Sequence, residues 1–358
     1  MPALHHYALI LAGGRGTRFW PRSRRRRAKQ VLNFLGERSL IQQTVDRLKL
    51  VLPARHIWVI TNRHLQKEII RQLPDVPAEQ ILAEPAQRNT APCIGLAAHI
   101  LHSLDPKAVL GVFPADHYIS QPRKFARYVR LGYAAARKDA IVVFGIEPRW
   151  PETGYGYIEL PKGAATNAKP VPIVRFVEKP DRPTAERYLA AGNFYWNAGM
   201  FFWRTSVILG ALRRHLPRTW SLLASLPDSR EPHFWRRVAA VFPRCENISI
   251  DYAVLEKAQN VVAIPVSDVG WNDVGSWNAV YELLRRDAIG NASTGTHLAL
   301  GSRGCYVDAP GKLVALLGVQ DLVIVDTPDA LLVAHRHQAQ RVSEIVAELE
   351  KQGREDLL

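Results

Sequence analysis

From Tyr7 to Ile146, apolar runs of strand length take turns with helix-length periodic segments, a rhythm that few architectures accept. YALILA (7–12) is followed after a loop by SLIQQTVDRLKLVL, where Ser39 can cap and Leu40, Ile41, Thr44, Val45 and Leu48 fall on one helical face. HIWVIT (56–61) precedes a helix expected at about 63–73, ILAEP (81–85) one at about 90–104, and VLGVFPAD (109–116) one ending near 138. IVVFGI (141–146) continues the series. Strands alternating with helices predict an α/β fold with a doubly wound, mostly parallel sheet, whose ligand crevice lies at the carboxyl ends of the strands.

Past residue 150 the rhythm loosens. A Gly/Tyr-rich hairpin (TGYGYIEL), a strand ending VRFVEKP (174–180), a helix at about 182–191 and the aromatic run YWNAGMFFW (195–203) come first. A helical stretch to about 258 and the strand VVAIPV (261–266) lead to VGWNDVGSWNAV (269–280). From about 290 the short runs GCYVDAP, KLVALLG, DLVIVD and ALLVAH, spaced about ten residues apart, predict a separate small β unit closed by a helix at about 338–351. No strict hexapeptide period runs through them, so a β-helix here is expected to be short. The expected division is 1–288 and 289–358.

No uncharged apolar stretch reaches the roughly 20 residues of a spanning helix; Asn89 to Leu104 is interrupted by Pro92, His99 and His102. The start lacks a basic region ahead of its apolar run, which reads as an opening strand rather than a signal peptide. Cys93, Cys245 and Cys305, odd in number and far apart, fit neither a disulfide framework nor a zinc site. A cytoplasmic protein with no membrane partner is the expectation. The net charge of +14 suggests a polyanion ligand until its location is considered. More than half of the excess sits in Arg15, Arg18, Arg22, Arg24, Arg25, Arg26, Arg27 and Lys29. Charge so local suits a small dense anion at least as well as a duplex, and no nucleic-acid motif accompanies it.

That basic segment starts in a glycine-rich turn, LAGGRGTRFWPRSRRRRAKQ (11–30). Gly13, Gly14 and Gly16 let backbone N–H groups approach phosphate oxygens without Cβ interference. The P-loop pattern is absent, and the dinucleotide pattern fails because Phe19 stands at its third glycine position and Asn62, not an acid, closes the next strand. What remains is a phosphate loop of high cationic density, or a tight turn with a solvated arginine run behind it.

LAGGRGTRFWP…AKQ resembles the G-G-x-G-T-R…P-K signature of sugar-1-phosphate nucleotidyltransferases. EPAQRNTAPC (84–93), GVFPADHYI (111–119), ETGYGYI (152–158), FVEKP (176–180), WNAGMFFW (196–203) and WNDVGSW (271–277) are similar, in the same order, to segments of bacterial mannose-1-phosphate guanylyltransferases. The resemblance covers nearly the whole chain and implies a Rossmann-like nucleotidyltransferase domain and a short C-terminal unit like a left-handed β-helix. A chain of 358 residues is not expected to carry the isomerase domain fused onto longer relatives. Ala28 replaces the proline common before the signature lysine, relaxing the backbone there.

The implied reaction is attack by the phosphate of mannose 1-phosphate on the α-phosphorus of GTP, giving GDP-mannose and pyrophosphate. A phosphate monoester has its second pKa near ~6, so the nucleophile needs no catalytic base. Two anions must be held in line, a task for Mg²⁺, Arg, Lys and backbone N–H groups. The resemblance gives Asp116 and Asp273 to the metal, and Arg18 and Lys29 to the triphosphate and departing pyrophosphate. Two lone aspartates suit Mg²⁺, although an Asp after a strand is often only a turn former or cap. His117 reads as a local loop residue rather than a ligand. Nucleotide contacts are expected from Leu11, Gly13, Gly14, Arg15, Gly16 and Thr17, and from Glu84, Arg88, Asn89 and Thr90 after the third strand. Asn89 or Thr90 is equally a plausible helix N-cap. Sugar-phosphate contacts are expected from Gly154, Tyr155, Glu178, Lys179 and Asn197, while the aromatic surroundings, Tyr155, Tyr195, Trp196 and Trp203, read as mostly core. The Arg22–Arg27 cluster reads either as a lid over the phosphates or as a solvated patch, with one or two direct contacts at most. A homodimer is the family expectation. Alternatives are a sister transferase with another nucleotide or hexose, or a nucleic-acid-binding protein.

Overall fold

The computed structural model describes residues 5–164 and 169–358. Its first half keeps the β-to-α rhythm: β1 (His6–Leu11), α1 (Leu40–Lys49), β2 (Ile57–Asn62), α2 (Arg63–Gln72), β3 (Ile81–Glu84), α3 (Thr90–Leu104), β4 (Val109–Pro114), the short β5 (Tyr118–Ile119), α4 (Pro122–Ala136) and β6 (Ile141–Ile146). Polar side chains start the helices. Ser39 and Gln42 form a capping box on α1, and Asn62 Oδ1 accepts from the N–H groups of His64 and Leu65 at the start of α2.

β7 (Tyr157–Glu159), β8 (Val171–Pro172), β9 (Arg175–Val177), α5 (Arg182–Ala191) and β10 (Phe194–Arg204) follow. Then come α6 (Thr205–His215), α7 (Pro217–Ala224), α8 (Phe234–Val241), β11 (Val261–Val266), β12 (Trp271–Asn272) and α9 (Trp277–Leu283). Of the hairpin expected in TGYGYIEL, only Tyr157–Glu159 is strand, and its preceding glycine turn is a loop.

The main sheet runs β3-β2-β1-β4-β10-β6-β11-β8. β1 to β4 are parallel, as are β6 and β11, whereas β10 is antiparallel to both β4 and β6. The run is therefore mostly parallel, with β10 reversed at its centre and the edge strand β8 antiparallel to β11. That reversal has a functional consequence: the amino end of β10 lies beside the carboxyl end of β6, with Asn197 opposite Gly145 and a register shift between Asn197 and Phe201. Apolar layers on both sheet faces, one including Ile41, Leu65 and Val129 and the other Leu96, Ile208 and Leu223, bury the helices.

The C-terminal unit comprises β13 (Ala292–Ser293), β14 (His297–Leu300), β15 (Tyr306–Asp308), β16 (Val314–Leu317), β17 (Leu322–Asp326), β18 (Leu331–His335) and α10 (Val342–Lys351). β13, β15 and β17 stack in parallel, β14 pairs in parallel with β16, and β18 turns back antiparallel on β17. Successive strands thus alternate between two sheets, the pattern of a short β-helix. The closing helix begins as a 3₁₀ segment, Arg336–Arg341, before α10. This unit shares a core with the opening loop: Phe19, Trp20, Phe34 and Trp277 pack in one cluster with Tyr306, Val325 and Val342. Trp277 Nε1 donates to the Trp20 carbonyl at 3.1 Å, and Trp20 Nε1 donates to the Leu357 carbonyl at 3.0 Å.

Candidate active site

The carboxyl ends of β1, β3 and β4, together with the amino end of β10, surround a cavity of about 1140 Å³. Leu11, Gly13 and Gly14 form part of its wall. The glycine turn is braced from behind by Gln30, whose Nε2 donates to the carbonyls of Ala12 at 2.7 Å and Gly14 at 3.1 Å. Gly16 has φ +64°, and a Cβ there would lie 2.6 Å from Lys29 Cβ and 2.8 Å from Lys29 N. Only glycine lets the loop fold back so closely on Lys29.

Lys29 is buried, and its Nζ donates to Asp116 Oδ2 at 2.8 Å and to the Asp273 carbonyl at 2.7 Å. Residues from three distant parts of the chain therefore meet at one point. Burial by itself would raise the Asp116 pKa, but the Lys29 charge beside it holds the carboxyl below its ordinary value. Asp116 keeps 34% of its side chain exposed, and both aspartates line the cavity. Val274, buried with φ +49°, donates its N–H to Asn272 Oδ1 at 2.7 Å, a strained turn that carries Asp273 into the cavity wall. His117 Nδ1 accepts from Trp271 Nε1 at 3.2 Å, and burial lowers its pKa to about 4.

The seat of the Lys29 ammonium tests whether a divalent cation fits here. The Asp116 carboxylate and the Asp273 main-chain carbonyl both meet this ammonium, and both aspartates line the same cavity. Among the described residues no group of three or more His, Cys, Asp or Glu side chains could hold a metal alone. Two carboxylates completed by substrate phosphate oxygens match the habit of Mg²⁺.

At the β3 end, Glu84 lines the cavity and its Oε2 accepts from Cys93 Sγ at 2.8 Å. Burial raises the Glu84 pKa, and the thiol contact partly offsets that. Asn89, at φ +63°, accepts from the Thr90 N–H at 2.9 Å, so it serves as the α3 cap while also lining the cavity. Thr90 lines it too. Arg88 instead donates to the Pro243 carbonyl and does not reach the cavity wall.

At the opposite end stand Gly154, Tyr155, Glu178, Lys179 and Asn197. Lys179 takes φ +45°, and its Nζ lies 3.1 Å from Glu178 Oε1. Tyr155 rests edge-on against Trp196 and Trp271, and burial followed by the Asp273 charge raises its pKa.

Much of the basic segment is paired with acids of the C-terminal part of the chain. Arg15 pairs with Glu350, Arg22 with Asp308 at 2.8 Å, Arg24 with Asp329 at 3.0 Å, and Arg25 with Glu355. All four partners belong to the C-terminal unit or the chain beyond it. Arg26 and Arg27 are exposed. Arg18 alone of this segment's arginines lines the cavity, its Nη1 donating to Gln340 Oε1 at 2.6 Å. Arg15, Gly16 and Thr17 do not line it; they shape the loop and its docking instead. Gln30, Asp251 and Gln340 are among the cavity residues that escaped the sequence reading, and the last two carry no local motif signal. Gln340 comes from the unit expected to stand apart.

A nucleotidyl transferase family model matches residues 7–288, and a MannoseP isomerase/GMP-like β-helix domain model matches residues 295–349. The alginate biosynthesis protein AlgA of Pseudomonas aeruginosa is 38% identical, the match covering 97% of this chain and 73% of that protein. The mannose-1-phosphate guanylyltransferase of Klebsiella pneumoniae is 39% identical over 97% of this chain and 74% of that one. A crystal structure from Thermus thermophilus, described as mannose-1-phosphate geranyltransferase, superposes with a TM-score of 0.85 at 34% identity, covering 97% of this chain and 100% of that one. With its glycine loop, paired aspartates and β-helix unit in the same chain, this protein belongs to the nucleotidyl transferase family, among the mannose-1-phosphate guanylyltransferases.

Proposed function

We infer that this enzyme joins GTP and mannose 1-phosphate to form GDP-mannose and pyrophosphate. One observation carries the reading: Lys29 Nζ bonds oxygens of both Asp116 and Asp273 between the glycine loop and the Glu178–Lys179 end of a single cavity. Such a layout suits a triphosphate laid along the loop and a sugar phosphate entering from the other side. The sugar-phosphate oxygen forms its bond to the α-phosphorus as the bond to the β-phosphate bridging oxygen breaks. Pyrophosphate leaves with that electron pair, and no proton need be removed from the dianionic nucleophile.

Arg18 and Lys29 supply positive charge where the pyrophosphate charge develops. Lys179 draws in the sugar phosphate, and the backbone of Gly13 and Gly14 offers N–H groups to phosphate oxygens. Members of the family use a divalent metal, and Asp116 and Asp273 are the residues that would hold Mg²⁺ here. Bound there, Mg²⁺ would polarise phosphoryl oxygens and offset charge between the two substrates.

We place the division of the chain at 288/289. A homodimer is part of the same reading, supported by Leu298, Leu300 and Leu317, which are 51%, 57% and 77% exposed on neighbouring strands of the C-terminal unit. A cytoplasmic setting is supported by three buried free cysteines.

The test is pyrophosphate release with GTP, ATP, UTP and dTTP against mannose, glucose and fucose 1-phosphates. Turnover that requires GTP and mannose 1-phosphate supports the assignment. Faster turnover of another pair would move the chain to a sister activity, and salt-sensitive DNA retention without turnover would defeat it.

A further inference from the structure

Asp251 lies on the cavity wall, yet nothing in the reaction as written uses it. Its backbone is pinned from two sides. The preceding residues are tied to the start of α3, because Ala91 N–H donates to the Ile248 carbonyl at 3.1 Å and Ile250 N–H donates to Thr90 Oγ1 at 2.8 Å. After it, Ala253, Val254 and Leu255 are buried in the π-helical turn that Asp251 opens. The side chain is fixed as well: Asn197 Nδ2 donates to Asp251 Oδ1 at 2.9 Å, while Asn197 Oδ1 accepts the Gly199 N–H at 3.0 Å and so sets which way the amide points. No side chain among the described residues donates to Asp251 Oδ2.

A second unused acceptor lies in the same end of the cavity. The Glu178 side chain is only 8% exposed; its Oε1 meets Lys179, but its Oε2 is buried with no hydrogen-bond partner among the described residues. A Cβ on Gly156 would collide with that oxygen, so the glycine leaves it room. A buried carboxylate oxygen without a donor is costly, and such groups persist where a ligand brings the donor. Burial and then the Glu178 charge raise the Asp251 pKa to about 6, against the opposing pull of Asn197 and Lys179. Glu256, from the same turn, faces the Glu178 backbone N–H at 3.2 Å.

Two carboxylates make this end of the cavity hostile to phosphate and receptive to hydroxyl donors. We propose that Asp251 is a specificity-determining residue for the sugar phosphate, its free carboxylate oxygen accepting a hydrogen bond from one ring hydroxyl of the hexose while Glu178 Oε2 accepts from another. This rests on the reading above of which end of the cavity takes the sugar. The phosphate of the same molecule is then left to the Lys179 ammonium, whose side chain is 56% exposed, and to the glycine loop.

Asp251→Asn is the decisive substitution, since the amide keeps an acceptor for Asn197 but turns the free oxygen into a donor. Wild-type turnover of GTP with mannose 1-phosphate is measured first; its absence would defeat the functional reading and this inference with it. With turnover present, D251N is expected to raise the KM for mannose 1-phosphate roughly ten- to a hundredfold, leaving the KM for GTP within about twofold.

The pH profile separates recognition from a merely structural part. As pH falls through about 6, Asp251 takes up a proton and loses acceptor strength, and the substrate phosphate, with its second pKa near ~6, does so too. The KM for the sugar phosphate therefore rises steeply in the wild type and less steeply in D251N. Equal rises in both KM values, or identical pH slopes, would overturn the assignment while leaving the wild-type activity established. Deoxy analogues of mannose 1-phosphate give an arm independent of D251N folding. One of them should lose a similar factor in the wild type, and a series penalised evenly at every position would count against a single hydroxyl facing Asp251.

Discussion

Arg22 Nη1 donates to Asp308 Oδ2 at 2.8 Å, joining the basic segment after the glycine loop to the third strand of the C-terminal unit. Asp308 is 2% exposed and also accepts from Thr294 Oγ1 at 2.7 Å. A buried carboxylate with two donors, one of them charged, fixes where the unit sits against the loop. Asp308→Ala would leave Arg22 without its partner in a partly buried site, a loss of about 3 kcal/mol or more by analogy with other broken buried pairs. Urea unfolding checks this, and a stability change under about 1 kcal/mol would show that the pair is not what holds the two parts together.

Asp116→Asn and Asp273→Asn each remove a carboxylate charge from the cavity wall, and each should abolish most turnover with the far-ultraviolet circular dichroism unchanged. The two need not be equal. Asp116 meets Lys29 through its carboxylate and Asp273 through its backbone carbonyl, so Asp273→Asn keeps the Lys29 contact and Asp116→Asn weakens it. Near-normal rates with saturating Mg²⁺ in either variant would refute its part in holding the ion.

Lys179→Ala should raise the KM for mannose 1-phosphate more than that for GTP. The Lys179 side chain is 56% exposed, neighbours Glu178 and lines the cavity. Steady-state kinetics with each substrate varied in turn decides the matter, and the reverse ordering would mean that Lys179 serves the triphosphate.

Much of this architecture was legible because local signals and tertiary packing agree. The β-to-α alternation, the Ser39 cap and the strand IVVFGI depend on short-range patterns that the fold simply keeps. The antiparallel course of β10 was not legible, since FYWNAGMFFWR is apolar enough for either direction and only its neighbours decide. Asp116 and Asp273 stood out through the resemblance of GVFPADHYI and WNDVGSW to family segments, since an Asp after a strand is by itself often only a turn former. Asp251 and Gln340 did not, because their approach to the cavity is set by contacts with Asn197 and Arg18, far away in sequence. The ion pairs of the basic run were not legible for a related reason: the acids that meet it, Glu350, Asp308, Asp329 and Glu355, lie some 300 residues downstream.

The loop itself supplies the last prediction. Gly16 combines φ +64° with a backbone so near Lys29 that a methyl group would overlap the lysine's own Cβ and N. Gly16→Ala therefore costs about 1–2 kcal/mol for the left-handed conformation alone, and the overlap must push Lys29 or the loop aside. Lys29 Nζ holds Asp116 and Asp273 through contacts of 2.8 and 2.7 Å, so even a small displacement separates the charge from both. The expected outcome is a loss of kcat far larger than the loss of stability. Gly14→Ala is the matched control, because a Cβ at Gly14 meets nothing within 4 Å and that glycine lacks the positive φ. If both variants lose the same activity, the requirement is for a bare backbone along the whole loop, and the close approach of Gly16 to Lys29 has no special part in catalysis.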